Sequence, residues 1–248
     1  MPVEYQEEKM ELWDQLAFEY DPKSPVRRIW TKNSVWVDVI KDAMHGCKKV
    51  LDVGCGAGFP SVFLAKWFDM FCLDRSKNMI LLASKRAKEE GVKIKLFRAD
   101  SCRLPFKDSI FDGVYCKFAL WPLKRPEEAI KEMIRVLKPN GKIAIVEVDR
   151  KGKKQSISLR SKIFYFIYLR IKQKIFKYPD TRPIWKRLMK ETEKNPRVNL
   201  DMVSSVLKRN NCNILKIEPK LKEMTYTAIG RIMGSNHEDY FLCVAKKE

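Results

Sequence analysis

Apolar residues recur along this chain at two intervals, and the interval changes near residue 48. In residues 4–20, Leu12, Leu16, Phe18 and Tyr20 stand among acidic side chains at the spacing of an amphipathic helix. Residues 33–45 repeat that spacing with Val35, Trp36, Val39, Ile40 and Met44. Beyond them the apolar runs shorten. Lys49–Val53, Met70–Leu73, Lys93–Arg98, Ile110–Cys116 and Ile143–Val148 read as five buried strands. Between them, Ser61–Phe68, Asn78–Glu90 and Glu127–Leu137 read as helices. Gly91 stops the second and Pro139-Asn140-Gly141 closes the third. Strands alternating with helices predict a parallel sheet covered on both faces.

The alternation stops after Val148 and resumes with a helix at Leu200–Arg209 and strands at Asn213–Glu218 and Tyr240–Ala245. No clear helix joins those last two strands, so an antiparallel pairing is expected. The predicted fold is α/β: a seven-stranded, mostly parallel sheet with N-terminal helices over residues 1–45. The core takes residues 46–150 and 199–248, and residues 151–198 form a basic helical insert or lid.

Charge changes this picture in one place. The 248 residues carry a net charge of +19. Residues 150–200 hold sixteen Lys and Arg against three acidic residues, whereas the first twenty residues carry six acids and one lysine. Within the insert, Ile157–Tyr178 interleaves Ile163, Phe164, Phe166 and Ile167 with Arg160, Lys162, Arg170 and Lys172. Such a helix can lie on an anionic membrane surface, or cover a pocket as a lid. A polyanion such as RNA is a further possible partner.

The longest unbroken apolar run, Ile163–Leu169, is far shorter than the roughly 20 residues of a membrane span. The seven cysteines are widely spaced and contain no CxxC, which argues against a zinc site or a disulfide framework. With no signal-peptide pattern at the N-terminus, a cytoplasmic protein is expected, peripheral to a membrane at most.

The candidate chemistry begins at Asp52-Val53-Gly54-Cys55-Gly56-Ala57-Gly58, directly after the first strand. A dinucleotide loop needs a third glycine where this chain has Phe59, and a Walker loop needs a Gly-Lys-Ser/Thr that does not follow. The D-x-G-x-G-x-G spacing instead gives a tight loop whose backbone can lie against a nucleoside without a pyrophosphate. The next helix offers its positive end to a carboxylate. Asp74 ends the second strand, 22 residues after Asp52, where a carboxylate can accept ribose hydroxyls. Asp100 ends the third. Taken singly, the loop is a turn and each aspartate a helix cap; together they fall at three successive strand ends on one sheet edge.

These stretches resemble the class I S-adenosylmethionine-dependent methyltransferases, and among them the group acting in ubiquinone and menaquinone biosynthesis. The resemblance covers about residues 10–150. It rests on Leu51–Gly58, Leu73–Met79, Arg98–Phe106, Phe111–Val114 and Glu132–Gly141. It implies the Rossmann-like seven-stranded fold and S-adenosyl-L-methionine as cofactor. It further implies that Gly54, Cys55, Gly56 and Gly58 line the cofactor, that Asp52 orients its amino-acid end, and that Asp74 and Arg75 stand at the ribose. By the same resemblance Met79 packs near the adenine, Asp100 accepts from the adenine amino group beside Ser101 and Cys102, and Cys116 and Lys117 border the sulfonium. The resemblance also implies that Tyr20 can reach the cofactor carboxylate.

Methyl transfer from a sulfonium needs orientation more than acid–base help, so no catalytic residue is assigned. Phe118 and Trp121 are candidate walls of an acceptor pocket, joined by Phe164 and Tyr168 from the insert and by His237. Lys117 can pair an acidic substrate or lower a phenol pKa. The fourth strand runs into Cys116-Lys117-Phe118-Ala119-Leu120-Trp121-Pro122. The Asn/Asp-Pro-Pro-aromatic motif of base-amine methylation and a Pro-Cys nucleophile are both missing. A small aromatic or hydrophobic acceptor is therefore expected. RNA or protein docked on the insert, and a cofactor-binding protein without catalysis, stay open as alternatives.

Overall fold

The computed structural model describes residues 12–20, 33–149, 170, 174, 179–226 and 239–248. Seven strands form one sheet: β1 (Lys49–Val53), β2 (Asp69–Asp74), β3 (Lys95–Arg98), β4 (Phe111–Lys117), β5 (Leu137–Val148), β6 (Cys212–Glu218) and β7 (Tyr240–Lys247). Their order is β3-β2-β1-β4-β5-β7-β6. The first five run parallel, and β7 is antiparallel to both neighbours, β5 and β6. The expected pairing of the last two strands is met.

Side-chain alternation divides the core between the two faces of the sheet. Leu51, Val53, Val114, Cys116, Ile143 and Ile145 point to one face. There they meet Ile130, Met133 and Ile134 of the helix Pro126–Val136 and Val203, Val206 and Leu207 of the helix Leu200–Arg209. Val50, Met70, Cys72, Tyr115, Ala144 and Val146 point to the other face, against Trp36, Ile40 and Met44 at the helix Asn33–Ala43 and its end. Spacings of three and four residues put each apolar stripe on a single side of its helix.

Caps fix several boundaries. The Ser76 hydroxyl accepts from the Met79 amide at 3.1 Å to open the helix Lys77–Glu89. The Asn199 side chain accepts from Met202 at 2.8 Å in the same way. Two boundaries differ from the sequence reading. The helix expected over residues 61–68 is one turn, Ser61–Leu64, before the chain bends toward β2. The helix Pro126–Val136 passes straight into β5, because Leu137 already pairs with Phe111; the register shifts before Gly113 pairs with Lys142. Asn140, at φ 65°, takes the left-handed turn in between.

Strand order reverses between β1 and β4, and a crevice opens there at the C-terminal ends of the parallel strands. Among the described residues no helix is long and apolar enough to cross a membrane.

Candidate functional site

A cavity of about 400 Å³ lies over that edge. Each strand end contributes: Val53–Ala57 after β1, Leu73–Ser76 after β2, Ala99–Ser101 after β3, Cys116–Leu123 after β4, and Val148 of β5. Tyr240 reaches the same edge because antiparallel β7 begins where β5 ends, with Tyr240 opposite Val148.

The glycine loop is held by its backbone. The amides of Gly54 and Cys55 both donate to the Leu73 carbonyl, at 2.8 and 2.9 Å. Gly54, Gly56 and Gly58 have φ of 76°, 53° and 80°, a region in which side chains are strained. A Cβ on Gly54 would stand 2.2 Å from Ala119 Cβ, so this loop packs directly on the segment after β4.

Asp74 fastens the loop from the neighbouring strand. Its Oδ2 accepts from the Gly56 amide at 2.8 Å and its Oδ1 from the Ser76 amide at 2.9 Å. Those bonds leave further lone pairs on a carboxylate that lines the cavity. Burial pushes its pKa up, against the lowering effect of the two amides. Asp100 sits at the next strand end, 3.6 Å from the Arg75 guanidinium, and its Oδ1 accepts from the Cys102 amide at 2.9 Å.

The N-terminal segment closes one side. Residues 12–16 are helical and run into the 3-10 turn Ala17–Tyr20. Asp14 reaches the start of the helix Lys77–Glu89, accepting from the Ser76 hydroxyl and from the Asn78 amide at 3.0 Å. Trp13 stands edge-on to Tyr20, Trp121 and Trp185, with ring centroids 6.3, 6.0 and 5.9 Å away. Trp185 belongs to the helix Arg182–Thr192, within the predicted insert. Glu19 ties the two pieces together, accepting from Trp185 Nε1 at 2.9 Å and from the Thr181 hydroxyl at 2.5 Å.

The far end of the cavity is aromatic. Phe118 has φ 57°, a strained conformation for a bulky residue, and its amide donates to the Val146 carbonyl at 2.9 Å. It packs edge-on to Trp36 at 5.3 Å and to Tyr240 at 4.8 Å. The Lys117 ammonium lies 5.4, 5.6 and 5.0 Å from the ring centroids of Trp36, Phe59 and Phe118. Tyr226 and Tyr240 share a 2.5 Å hydroxyl–hydroxyl bond. The buried Glu147 positions the next turn, its Oε2 accepting from the Leu120 and Trp121 amides at 3.0 and 3.1 Å.

Most residues singled out from the sequence meet at this cavity: Tyr20, Gly54, Cys55, Gly56, Asp74, Arg75, Met79, Asp100, Ser101, Cys116, Lys117, Phe118 and Trp121. Asp52, Gly58 and Cys102 do not line it. Asp52 is 2% exposed beneath the loop, where it accepts from the Ser61 hydroxyl and from Tyr115 at 2.9 Å. Burial raises its pKa to about 7. Gly58 lies against the helix behind, its Cβ position 3.0 Å from Ala83 and Val62. Cys102 turns away, its thiol 3.6 Å from the Arg125 carbonyl. Phe164, Tyr168 and His237 lie outside the described residues, as does most of the basic stretch 157–178.

Sequence reasoning missed Trp13, Phe59, Ser76, Trp185 and Tyr240, all of which line the cavity. Tyr240 was within reach of it, because an antiparallel last strand must begin at the edge where the parallel ones end. Nothing local marks Trp185.

Residues 51–145 match the family described as a methyltransferase domain. The ubiquinone/menaquinone biosynthesis C-methyltransferase of Chromobacterium violaceum is 30% identical over 149 residues, 56% of this chain and 59% of that protein. The chain spans about half the length of the curated relatives it matches. A solved S-adenosylmethionine-dependent methyltransferase from Aquifex aeolicus shares the fold, with a TM-score of 0.60 at 18% identity over 95% of this chain and 98% of that one. The [4+2]-cyclase SpnF shares it too, with a TM-score of 0.59 at 17% identity over 87% and 80% of the two chains. Residues 51–145 are thus similar to a methyltransferase domain, and the seven-stranded fold is one shared with solved S-adenosylmethionine-dependent methyltransferases. A cavity this size with an acceptor carboxylate at a strand end suits a nucleoside cofactor such as S-adenosyl-L-methionine.

Proposed function

We propose that this chain transfers a methyl group from S-adenosylmethionine to a small aromatic or hydrophobic acceptor. One observation carries the reading: a single cavity is polar and glycine-lined at the β1–β3 end and aromatic at the β4–β5 end. Held by Asp74, Gly54 and Gly56, S-adenosylmethionine would supply an electrophilic methyl group to an electron pair of the acceptor, the carbon–sulfur pair remaining on sulfur.

The chain's own work is binding and alignment. Asp74 takes the ribose hydroxyls while fixing the loop through Gly56. Met79, Asp100 and Ser101 surround the adenine. Gly54 and Gly56 let the backbone approach closely, and Tyr20 with Trp13 covers the amino-acid end. Asp52, Gly58 and Cys102 act from behind, by holding the loop and the turn in shape. Phe118, Trp121, Phe59 and Tyr240 wall the acceptor and keep water off the line of attack. The Chromobacterium violaceum relative, a ubiquinone/menaquinone biosynthesis C-methyltransferase, supports an aromatic acceptor.

The fold alone does not fix methyl transfer, since a cyclase shares it. The test is incubation with methyl-labelled S-adenosylmethionine and a lysate fractionated into small molecules, RNA and protein. Label in the small-molecule fraction is the expected result. Label confined to RNA or protein moves the assignment to a macromolecular acceptor docked through the basic insert. Cofactor binding with no labelled fraction overturns the proposal in favour of a non-catalytic role.

A further inference from the structure

We propose that Trp13 is a positioning residue that couples the two ends of the cavity, so that a bound cofactor fastens the helix Arg182–Thr192 over the acceptor end. The inference rests on the methyltransferase reading above and adds an order to it: cofactor first, acceptor second.

Two small apolar clusters lie apart from the cores on the sheet faces, and Trp13 packs against both. The first joins Leu12 and Leu16 to Trp121 and to Leu188 of the helix Arg182–Thr192, with Trp185 packed against it. The second joins Ala17 to Ala57 of the glycine loop and to Met79 of the helix Lys77–Glu89, with Tyr20 packed against it. Trp121 is the proposed acceptor wall, whereas Ala57 and Met79 line the cavity at its glycine-loop end. Polar ties follow the same division. Toward the cofactor, Asp14 accepts from the Asn78 amide at 3.0 Å, and the Tyr20 carbonyl accepts from the Arg86 guanidinium at 3.1 Å. Toward the acceptor, Glu19 accepts from Trp185 Nε1 at 2.9 Å and from the Thr181 hydroxyl at 2.5 Å. Residues 12–20 thus stand as one strut between the helix Lys77–Glu89 and the helix Arg182–Thr192.

A segment this short does not hold a helical shape by itself, because nucleation costs more than so few hydrogen bonds return. Its shape depends on what packs against it, and each of its two clusters buries only three or four side chains. Such regions open locally at far lower cost than a main core. A cofactor filling the space beside Ala57, Met79 and Tyr20 adds contact to the second cluster and favours the closed strut. The closed strut presents Trp13 and Glu19 to Trp185, and so fastens the helix whose Leu188 backs Trp121. Linkage makes the dependence reciprocal: an acceptor seated against Trp121 and Trp185 tightens the cofactor by the same factor. The chain just beyond this helix has a second support that bypasses the strut, the Asn195 side-chain amide donating to the Pro122 carbonyl at 2.9 Å.

The test is hydrogen–deuterium exchange read by mass spectrometry, with and without saturating S-adenosylhomocysteine. In wild type the ligand should slow exchange in residues 182–192 by about tenfold, within the usual range of coupling between sites. Glu19→Ala and Trp13→Ala should abolish that slowing while the ligand still protects residues 77–89, which also shows that the variants are folded. Glu19→Gln and Trp13→Phe keep an acceptor oxygen and a ring, and should restore much of it. Asn195→Ala should raise exchange in 182–192 yet leave the response to ligand intact. A wild-type helix that exchanges alike with and without ligand overturns the inference. So does a response that persists undiminished in Glu19→Ala and Trp13→Ala, or one lost only in Asn195→Ala. Wild-type protein that does not bind S-adenosylhomocysteine in calorimetry would instead sink the methyltransferase reading itself.

Discussion

Gly54 and Ala119 touch across the crevice between β1 and β4, so the loop proposed to hold the cofactor and the segment proposed to wall the acceptor form one packed unit. A side chain at Gly54 would begin 2.2 Å from Ala119 Cβ, on a residue whose φ is 76°. Gly54→Ala should therefore lose S-adenosylhomocysteine binding by more than about tenfold in calorimetry, since strain of about 1–3 kcal/mol adds to the clash. Adding Ala119→Gly should recover part of that loss, because it removes the clash and leaves the φ strain.

Asp74 accepts two backbone amides and is the proposed ribose ligand. Asp74→Ala should weaken S-adenosylhomocysteine binding by about a hundredfold, given about 1.5–3 kcal/mol for each hydrogen bond to a charged group. The same change orphans the Gly56 and Ser76 amides, so the melting temperature without ligand should fall as well. A variant that melts lower yet binds normally would remove Asp74 from the ribose.

Asp52 ties stability to pH. Its folded pKa stands near 7, above the ordinary 3.8, because burial penalises the carboxylate more than the Ser61 and Tyr115 hydroxyls favour it. Between these two values the unfolded chain is ionised while the folded one keeps its proton. Stability from this group therefore falls as pH rises from about 4 to about 7, and is level beyond. Asp52→Asn should flatten the wild-type curve over that window in urea unfolding. The difference between the two curves should change by up to about 4 kcal/mol. A difference that grows in the opposite direction would refute the raised pKa.

Glu19 latches the N-terminal segment to the helix that carries Trp185. Glu19→Ala should speed S-adenosylhomocysteine release by about tenfold in stopped-flow tryptophan fluorescence, the worth of one charge-assisted hydrogen bond. Trp13 lies within that aromatic cluster, so the same signal reports its opening.

Glu147 holds the Leu120–Trp121 turn through a single carboxylate oxygen. Glu147→Gln keeps an amide oxygen to accept and should be mild. Glu147→Ala should raise KM for the acceptor by about tenfold with little change in S-adenosylhomocysteine affinity, because two buried amides lose their partner. An equal loss of cofactor affinity would show that the turn serves the whole cavity.

Much of this architecture was legible in the residue pattern. Short apolar runs separated by capped helices set a parallel sheet, and in a parallel sheet every strand's C-terminal end lies on the same edge. Placing Asp74 and Asp100 at that edge needed only the ends of their strands. The local signal of Gly91 worked because it acts within one helical turn. Asp52 shows the limit of such reasoning. Whether a strand residue next to a loop faces the cavity or the core depends on the pleat and on what packs behind. Here Tyr115, its register partner on β4, and Ser61 lie on the core side.

The sequence by itself determined the strand order's raw material, the glycine loop from Gly54 to Gly58, and the carboxylates that follow it, because each is specified by neighbours a few residues away. Only the tertiary structure decided that Trp185 and Glu19 meet over the cavity, that Tyr240 borders Phe118, and that Lys117 stands among three rings. Those contacts join residues up to 166 positions apart, and burial of shared apolar surface brings them together without any trace in local spacing.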